Sequence, residues 1–120
     1  MIDRHACPAF HAAVELIGKR WNGVIVDTLL TSSLRFSELR AVIPGITPAV
    51  LSQRLKELEA EQLVRREVSV ERPIEVSYSL TDTGRRLSAV LDAVAEWSLG
   101  WPRVEREDRR WNSASIRSAS

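Results

Sequence analysis

The side chain with the most specific chemical capacity in this 120-residue chain is Gln53. A carboxamide donates and accepts at once, so it can pair bidentately with the edge of an adenine. Ala49, Val50 and Ser52 precede it, small groups that can approach base edges and touch a thymine methyl. Cations stand around this stretch: Arg35 and Arg40 before it, Arg54 and Lys56 within it, and Arg72 further along. Arginine and lysine bind phosphate oxygens, and a set of them on one face would hold a nucleic-acid backbone. For each one singly, the plain alternative is a solvated surface charge.

Cys7 is the chain's only thiol. Arg4, His5 and the start of a following helix could favour its thiolate, the form that reacts with oxidants and electrophiles. With one cysteine, an internal disulfide is excluded, so oxidation would join two chains or add a small thiol. The alternative is a small hydrophobe that caps a helix. His5, Cys7 and His11 are potential metal ligands, but their steps of two and four residues do not match structural zinc spacing and a fourth ligand is missing. No metal and no cofactor are expected. There is no Gly-rich phosphate loop and no recognisable Ser/His/Asp set, so an enzyme is not expected either.

The elements that would position these groups follow from periodicity. Phe10, Ala13, Val14 and Ile17 predict an amphipathic helix over 8–17, with Gly18 as its stop. A more apolar helix is expected over 20–30, carrying Trp21, Val24, Ile25, Leu29 and Leu30, and a short one over 36–42 with Leu39, Val42 and Ile43 inward. Pro44-Gly45 is a turn. Thr47-Pro48 then opens the clearest helix: threonine caps the free amides, and proline suits the first helical position. Leu51, Leu55 and Leu58 share its inner side, leaving Ala49, Gln53, Lys56 and Ala60 opposite. Arg54 lies near the core edge, which suits either a phosphate contact or an ion pair with a carboxylate. Strands are expected over 63–70 and 74–80, with Glu71-Arg72-Pro73 at the hairpin tip. One long helix from Thr81 would carry Leu87, Val90, Leu91, Val94, Trp97 and Trp101, ended or kinked by Pro102.

A short helix, a tight turn and a second capped helix match a helix-turn-helix, whose second helix can enter the major groove. Charge alone would not suggest this, since 17 basic and 16 acidic residues leave a net +1. A hydrophobic share of 44% against 28% charged fits one soluble globular domain, read here as 1–107, with 108–120 as a disordered tail. No apolar run approaches a membrane span, no secretory signal opens the chain, and a single cysteine fits a cytoplasmic, reducing setting.

Landmarks along the chain resemble the HxlR-type family of winged helix-turn-helix regulators, relatives of the MarR group. They run in order from Cys7-Pro8 through Leu16-Ile17-Gly18, Trp21, Arg35-Phe36-Ser37-Glu38-Leu39-Arg40 and Pro44-Gly45-Ile46-Thr47. Leu51-Ser52-Gln53-Arg54-Leu55-Lys56-Glu57-Leu58-Glu59 follows, then Leu63-Val64, Pro73, Val76, Tyr78-Ser79-Leu80-Thr81, Gly84 and Glu96-Trp97. The chain departs from the family pattern at Lys19-Arg20, where a second glycine and a lysine are usual. The resemblance implies an α+β fold, mainly helical, with a β-hairpin wing and N- and C-terminal dimerisation helices. It also implies a DNA-binding transcription regulator, with repression the commoner outcome, the wing along the minor groove and Arg72 within it.

Phe10, Val14 and Ile17, and separately Val90, Val94, Trp97 and Trp101, form apolar seams suited to pairing. The resemblance implies a two-fold homodimer, hence a palindromic operator with half-sites about one helical turn apart or a multiple of it. Packing of both seams inside one monomer is the alternative. An oxidant or small-molecule effector is compatible with Cys7 and with an aromatic pocket at the seam. The competing function is a helical dimeric protein-interaction module that does not bind DNA.

Overall fold

Side-chain caps set two of the helix starts expected from sequence. Thr47 Oγ1 accepts the Val50 N–H at 3.2 Å and Thr81 Oγ1 accepts the Gly84 N–H at 3.1 Å, each satisfying one of the free amides of a first turn. The computed structural model describes residues 3–103. The expected tail from 108 lies outside the described residues. The elements are α1 (Pro8–Gly18), α2 (Asn22–Leu29), β1 (Leu34–Arg35), α3 (Phe36–Val42), α4 (Pro48–Ala60), β2 (Val64–Val68), β3 (Val76–Leu80), α5 (Asp82–Arg85) and α6 (Ser88–Ser98). They form two units, one through Ser88 and one from Ala89 onward.

In the first unit the core is built from one face of each helix. Ile25, Val26 and Leu29 come from α2, Leu39 from α3, and Leu51, Leu55 and Leu58 from α4, with Val64 and Leu80 from the sheet. Burying each such side chain stabilises by roughly 2 kcal/mol. The three leucines of α4 sit inward as their spacing predicts. Val42 does not: it is exposed, while Leu39 and Ile43 are buried; α3 ends at Val42, and Ile43 follows in extended backbone at φ −105°, ψ 101°, so it enters the core from outside the helix rather than along the helical face that it would share with Val42. Val24 is likewise exposed on the outer face of α2.

The sheet is antiparallel in the order β1-β3-β2. β2 and β3 pair from Val64↔Leu80 to Val68↔Val76, the hairpin that alternation predicts. Beyond the ladder, Ser69 and Glu75 keep one more bond, Ser69 N–H to Glu75 O at 2.8 Å, and the Ser69 hydroxyl accepts the Glu75 N–H at 2.8 Å. Ser69 thus closes the neck of the hairpin tip. The two-residue β1, pairing Leu34↔Tyr78 and Arg35↔Ser77, was not expected; two residues are too few to show a period.

The closing helix also differs from expectation. Instead of one long helix from Thr81, α5 ends at Arg85 and α6 begins at Ser88, and α6 ends at Ser98, ahead of Pro102. Gly84 is buried, and a Cβ there would collide with the Leu63 carbonyl. The first turn after β3 is pressed directly onto the chain entering β2. Thr81 reinforces the same junction, donating from its hydroxyl to Gln62 O at 2.6 Å and from its N–H to Leu63 O at 3.0 Å.

In the second unit α6 exposes Val90, Val94 and Trp97, the last at 67%. The helix does not reach Trp101, as the sequence seam had assumed. Trp101 follows the turn at Leu99-Gly100, and its ring lies 5.1 Å from that of Trp97 at 50°.

Gly84→Ala is expected to destabilise the protein by about 2–4 kcal/mol, because the neighbour it meets is backbone and cannot rotate away. Gly18→Ala, with open space around its position, should change stability by less than about 1 kcal/mol. Urea unfolding of both variants measures the contrast.

Candidate nucleic-acid interface

The turn between α3 and α4 runs through Pro44, Gly45 and Ile46. Ile46 is buried and pins the turn to the core. Gly45 has φ +83°, a left-handed conformation that residues with a Cβ adopt at a cost. Space is not the constraint, since a Cβ there would meet Trp21 Cη2 at an ordinary 3.7 Å. Trp21 itself precedes α2 at φ 81°, strained for an aromatic residue, with the Arg20 guanidinium 4.9 Å over its ring. The junction of α1 and α2 therefore lies against the helix-turn-helix turn.

The leucine face of α4 fixes its outer face. Ala49, Gln53 and Lys56 are exposed, with Val50 and Ser52 half-buried beside them. Thr47 caps the helix with Pro48 at its first position, so the N-terminal amides and the positive end of the helix dipole face outward with them. Gln53 makes only a long contact, Nε2 to Glu57 Oε1 at 3.5 Å, and its carboxamide is open to a partner. Arg40 and Lys56 are exposed, with no ion pair found for either among the described residues.

Arg54 and Arg35 have local partners. Of the two roles open for Arg54, the ion pair is the one present. Its Nη1 reaches Glu57 Oε2 at 3.1 Å, its Nε donates to Arg20 O at 3.1 Å, and its side chain is only 16% exposed. It ties α4 to the α1–α2 junction. Arg35 Nε meets Glu38 Oε1 at 3.1 Å and Nη1 meets Glu75 Oε1 at 3.3 Å. Since Glu75 lies just before β3, this pair links the start of α3 to the wing. Arg35 stays half-exposed and keeps donor capacity outward. Arg72 lies at the exposed tip between β2 and β3, beside the fully exposed Val70.

Glu38 and Glu57 were not singled out from sequence, yet they organise the site. The Glu38 carboxylate accepts the Arg35 N–H at 2.9 Å. That backbone bond and the Arg35 side chain hold its pKa below the ordinary carboxylate value, and Glu38 in turn raises that of the Arg35 guanidinium. Glu57 is lowered chiefly by its hydrogen bond from Lys19, against a desolvation cost, with Arg54 adding to the effect; Lys19 Nζ stands 2.9 Å away. The Arg54–Glu57 spacing of three was legible as a helical pair, but Lys19 could not be matched to Glu57 without the fold. Arg65 and Arg66, adjacent on β2 and exposed, were also passed over, though two successive cations on a wing strand are a readable signal.

At the N-terminus Cys7 is a free, half-buried thiol that caps α1, its Sγ accepting the Phe10 N–H at 3.4 Å. Arg4 stacks over the Phe10 ring at 5.7 Å. The His11 ring nitrogen Nε2 is bonded to the His5 carbonyl at 2.9 Å. Among the described residues no three His, Cys, Asp or Glu groups could hold a metal ion, and no helix is long and apolar enough to cross a membrane. Phe10 and Val14 are exposed on α1 and Ile17 is half-buried.

Comparison with known proteins gives a consistent picture. A sequence model described as HxlR-like helix-turn-helix matches residues 16–106. The HTH-type transcriptional regulator YvaP of Bacillus subtilis is 46% identical over 101 residues, covering 84% of this chain and 94% of that protein. The reduced form of the transcriptional regulator YodB from B. subtilis superposes with a TM-score of 0.75 at 41% identity, over 80% of this chain and 94% of that one. YodB is also known in diamide-treated and quinone-bound forms. The redox regulator HypR in its reduced form gives a TM-score of 0.73 at 33% identity, over 82% and 98% of the two chains.

Stability should fall in acid partly through Glu57. Its folded pKa is lowered, so its contribution is fully present above the ordinary value of 4.5 and is lost as pH falls through the lowered value. Glu57→Gln is expected to flatten the acid limb of a plot of thermal midpoint against pH while leaving the limb above neutrality unchanged.

Proposed function

From the premise that this chain belongs to the HxlR-like helix-turn-helix family, and is thus a DNA-binding transcription regulator rather than an enzyme, we propose that it represses promoters as a homodimer on a palindromic operator. The observation that carries this reading is the division of α4: leucines buried on one side, and Ala49, Gln53 and Lys56 exposed on the other beneath a capped, outward-facing N-terminus. In the proposed complex Gln53 reads an adenine, and Ala49, Val50 and Ser52 approach neighbouring bases. Thr47 and the helix N-terminus take a phosphate. Arg40 and Lys56 contact the backbone and Arg72 enters the minor groove. Arg35 adds a phosphate contact from its outward donors. Arg54 serves chiefly by holding α4, and a phosphate contact from it is secondary.

Two-fold pairing draws on the exposed apolar groups. Phe10, Val14 and Ile17 on α1, and Val90, Val94 and Trp97 with the following Trp101, are the proposed dimer surface. Large exposed apolar groups in series on a helix favour a partner over water. A cytoplasmic site of action follows from this role.

An oxidant or electrophile is the proposed effector and Cys7 the sensor. Support comes from YodB, known in reduced, diamide-treated and quinone-bound forms, and from the redox regulator HypR. In this chain two Cys7 thiols, one from each protomer, would lose two protons and two electrons to the oxidant and form one disulfide; a quinone would instead add to the thiolate sulfur.

Selection from a random duplex pool on the purified protein tests the reading. A palindromic site recovered under reducing conditions is expected, and its absence at low salt would favour a protein-interaction module. On that site Gln53→Ala should relax base preference at one position by about 1–3 kcal/mol. Lys56→Ala and Arg72→Ala should each weaken binding with little change in preference and lower the salt slope by about 1. The same selection in mild oxidant should lose the site, and a Cys7→Ser variant should keep it. Val94→Glu combined with Trp97→Glu is expected to shift the sedimentation coefficient from dimer to monomer.

A further inference from the structure

Residues 70–74 are all exposed, so burial does not fix the wing tip that carries Arg72. Among the described residues, every hydrogen bond found for this stretch ends on the Ser69 hydroxyl. That hydroxyl donates to Glu71 O at 3.2 Å and is shared with Pro73 O at 3.4 Å, the two carbonyls that flank Arg72. The same oxygen accepts the Glu75 N–H at 2.8 Å, on the returning side of the turn. A hydroxyl offers one donor and two acceptor lone pairs, and here they bridge the turn from both sides of Arg72.

Glu75 is held at its other end as well. Its carboxylate meets Arg35 Nη1 at 3.3 Å, and Arg35 Nε meets Glu38 of α3 at 3.1 Å. A bonded path thus runs from the carbonyls beside Arg72, through Ser69 and Glu75, to the first turn of α3. The backbone on either side of Arg72 is tied down, while no ion pair is found for its guanidinium among the described residues.

We infer that Ser69 is a positioning residue: its hydroxyl holds the Glu71–Pro73 turn so that Arg72 meets DNA already ordered. The effect on DNA rests on the minor-groove reading of Arg72; the hold on the turn does not. The physical gain is preorganisation. A loose tip loses chain entropy when it binds, and that loss is subtracted from whatever the arginine contributes. Alanine at this position keeps the backbone bond from Ser69 N–H to Glu75 O and deletes only the hydroxyl.

Ser69→Ala, Ser69→Thr, Arg72→Ala and the Ser69→Ala/Arg72→Ala pair test this on the full chain in two ways. Without DNA, amide exchange is followed by nuclear magnetic resonance. Ser69→Ala should speed exchange of the Glu75 N–H by about threefold or more, and Ser69→Thr, which keeps a hydroxyl, should restore it. The thermal midpoint should stay within about 3 °C in both, as for other exposed positions. With DNA, affinity for the palindromic duplex recovered by selection is measured at fixed salt. Ser69→Ala should weaken it about three- to tenfold and Ser69→Thr by less than about twofold. In the Arg72→Ala background, loss of the hydroxyl should weaken binding no further.

An unchanged Glu75 amide in Ser69→Ala overturns the hold on the turn. If Arg72→Ala weakens binding but Ser69→Ala does not, or weakens it equally in the Arg72→Ala background, positioning through Arg72 is overturned and the arginine's own contact stands. Arg72→Ala without effect, or no duplex recovered, removes the minor-groove reading instead, and Ser69 is then judged by the amide alone.

Discussion

Burial of Leu51, Leu55 and Leu58, each no more than 1% exposed, is the constraint on which the rest of this molecule depends. A helix has one rotation about its axis, and three large side chains at steps of four and three settle it. Once they are inward, Ala49, Gln53 and Lys56 must point outward and the capped N-terminus must stand at the surface. Turning the helix to bury Gln53 would expose leucines and bury an unpaired carboxamide, unfavourable on both counts.

Around this seam, polar bonds set position rather than existence. Glu57 takes one cation from Lys19, just past the end of α1, and one from α4 itself, while Arg54 also grips the carbonyl of Arg20. These pairs keep some contact with solvent and contribute modestly to stability, but they join α4 to the α1–α2 junction, where Trp21 faces the turn at Gly45. The Arg35–Glu75 pair does the same for the wing. Such ties fix how the helix and the hairpin stand relative to the core, because apolar packing alone leaves rotation and sliding soft.

The second unit follows a different logic. α6 leaves Val90, Val94 and Trp97 exposed, and α1 does the same with Phe10 and Val14. Apolar groups spaced along two helices and left in water represent unrealised burial, which a second protomer can supply.

Local chemistry determined much of this by itself. The Thr47-Pro48 start, the leucine stripe, the glycine in the turn and the alternation of the hairpin each rest on residues within a few positions of one another, so order along the chain carries them. The outer face of α4 was legible for the same reason, since it is the complement of the leucines. Tertiary structure alone decided the rest. β1 is too short to show a period, and the close fit of Gly84 against the Leu63 carbonyl joins positions far apart along the chain. Lys19 and Glu57 are 38 positions apart, and Arg35 and Glu75 are 40 apart. Which charge finds which, and therefore which arginines stay open to phosphate, is fixed only when the packed core brings those segments together.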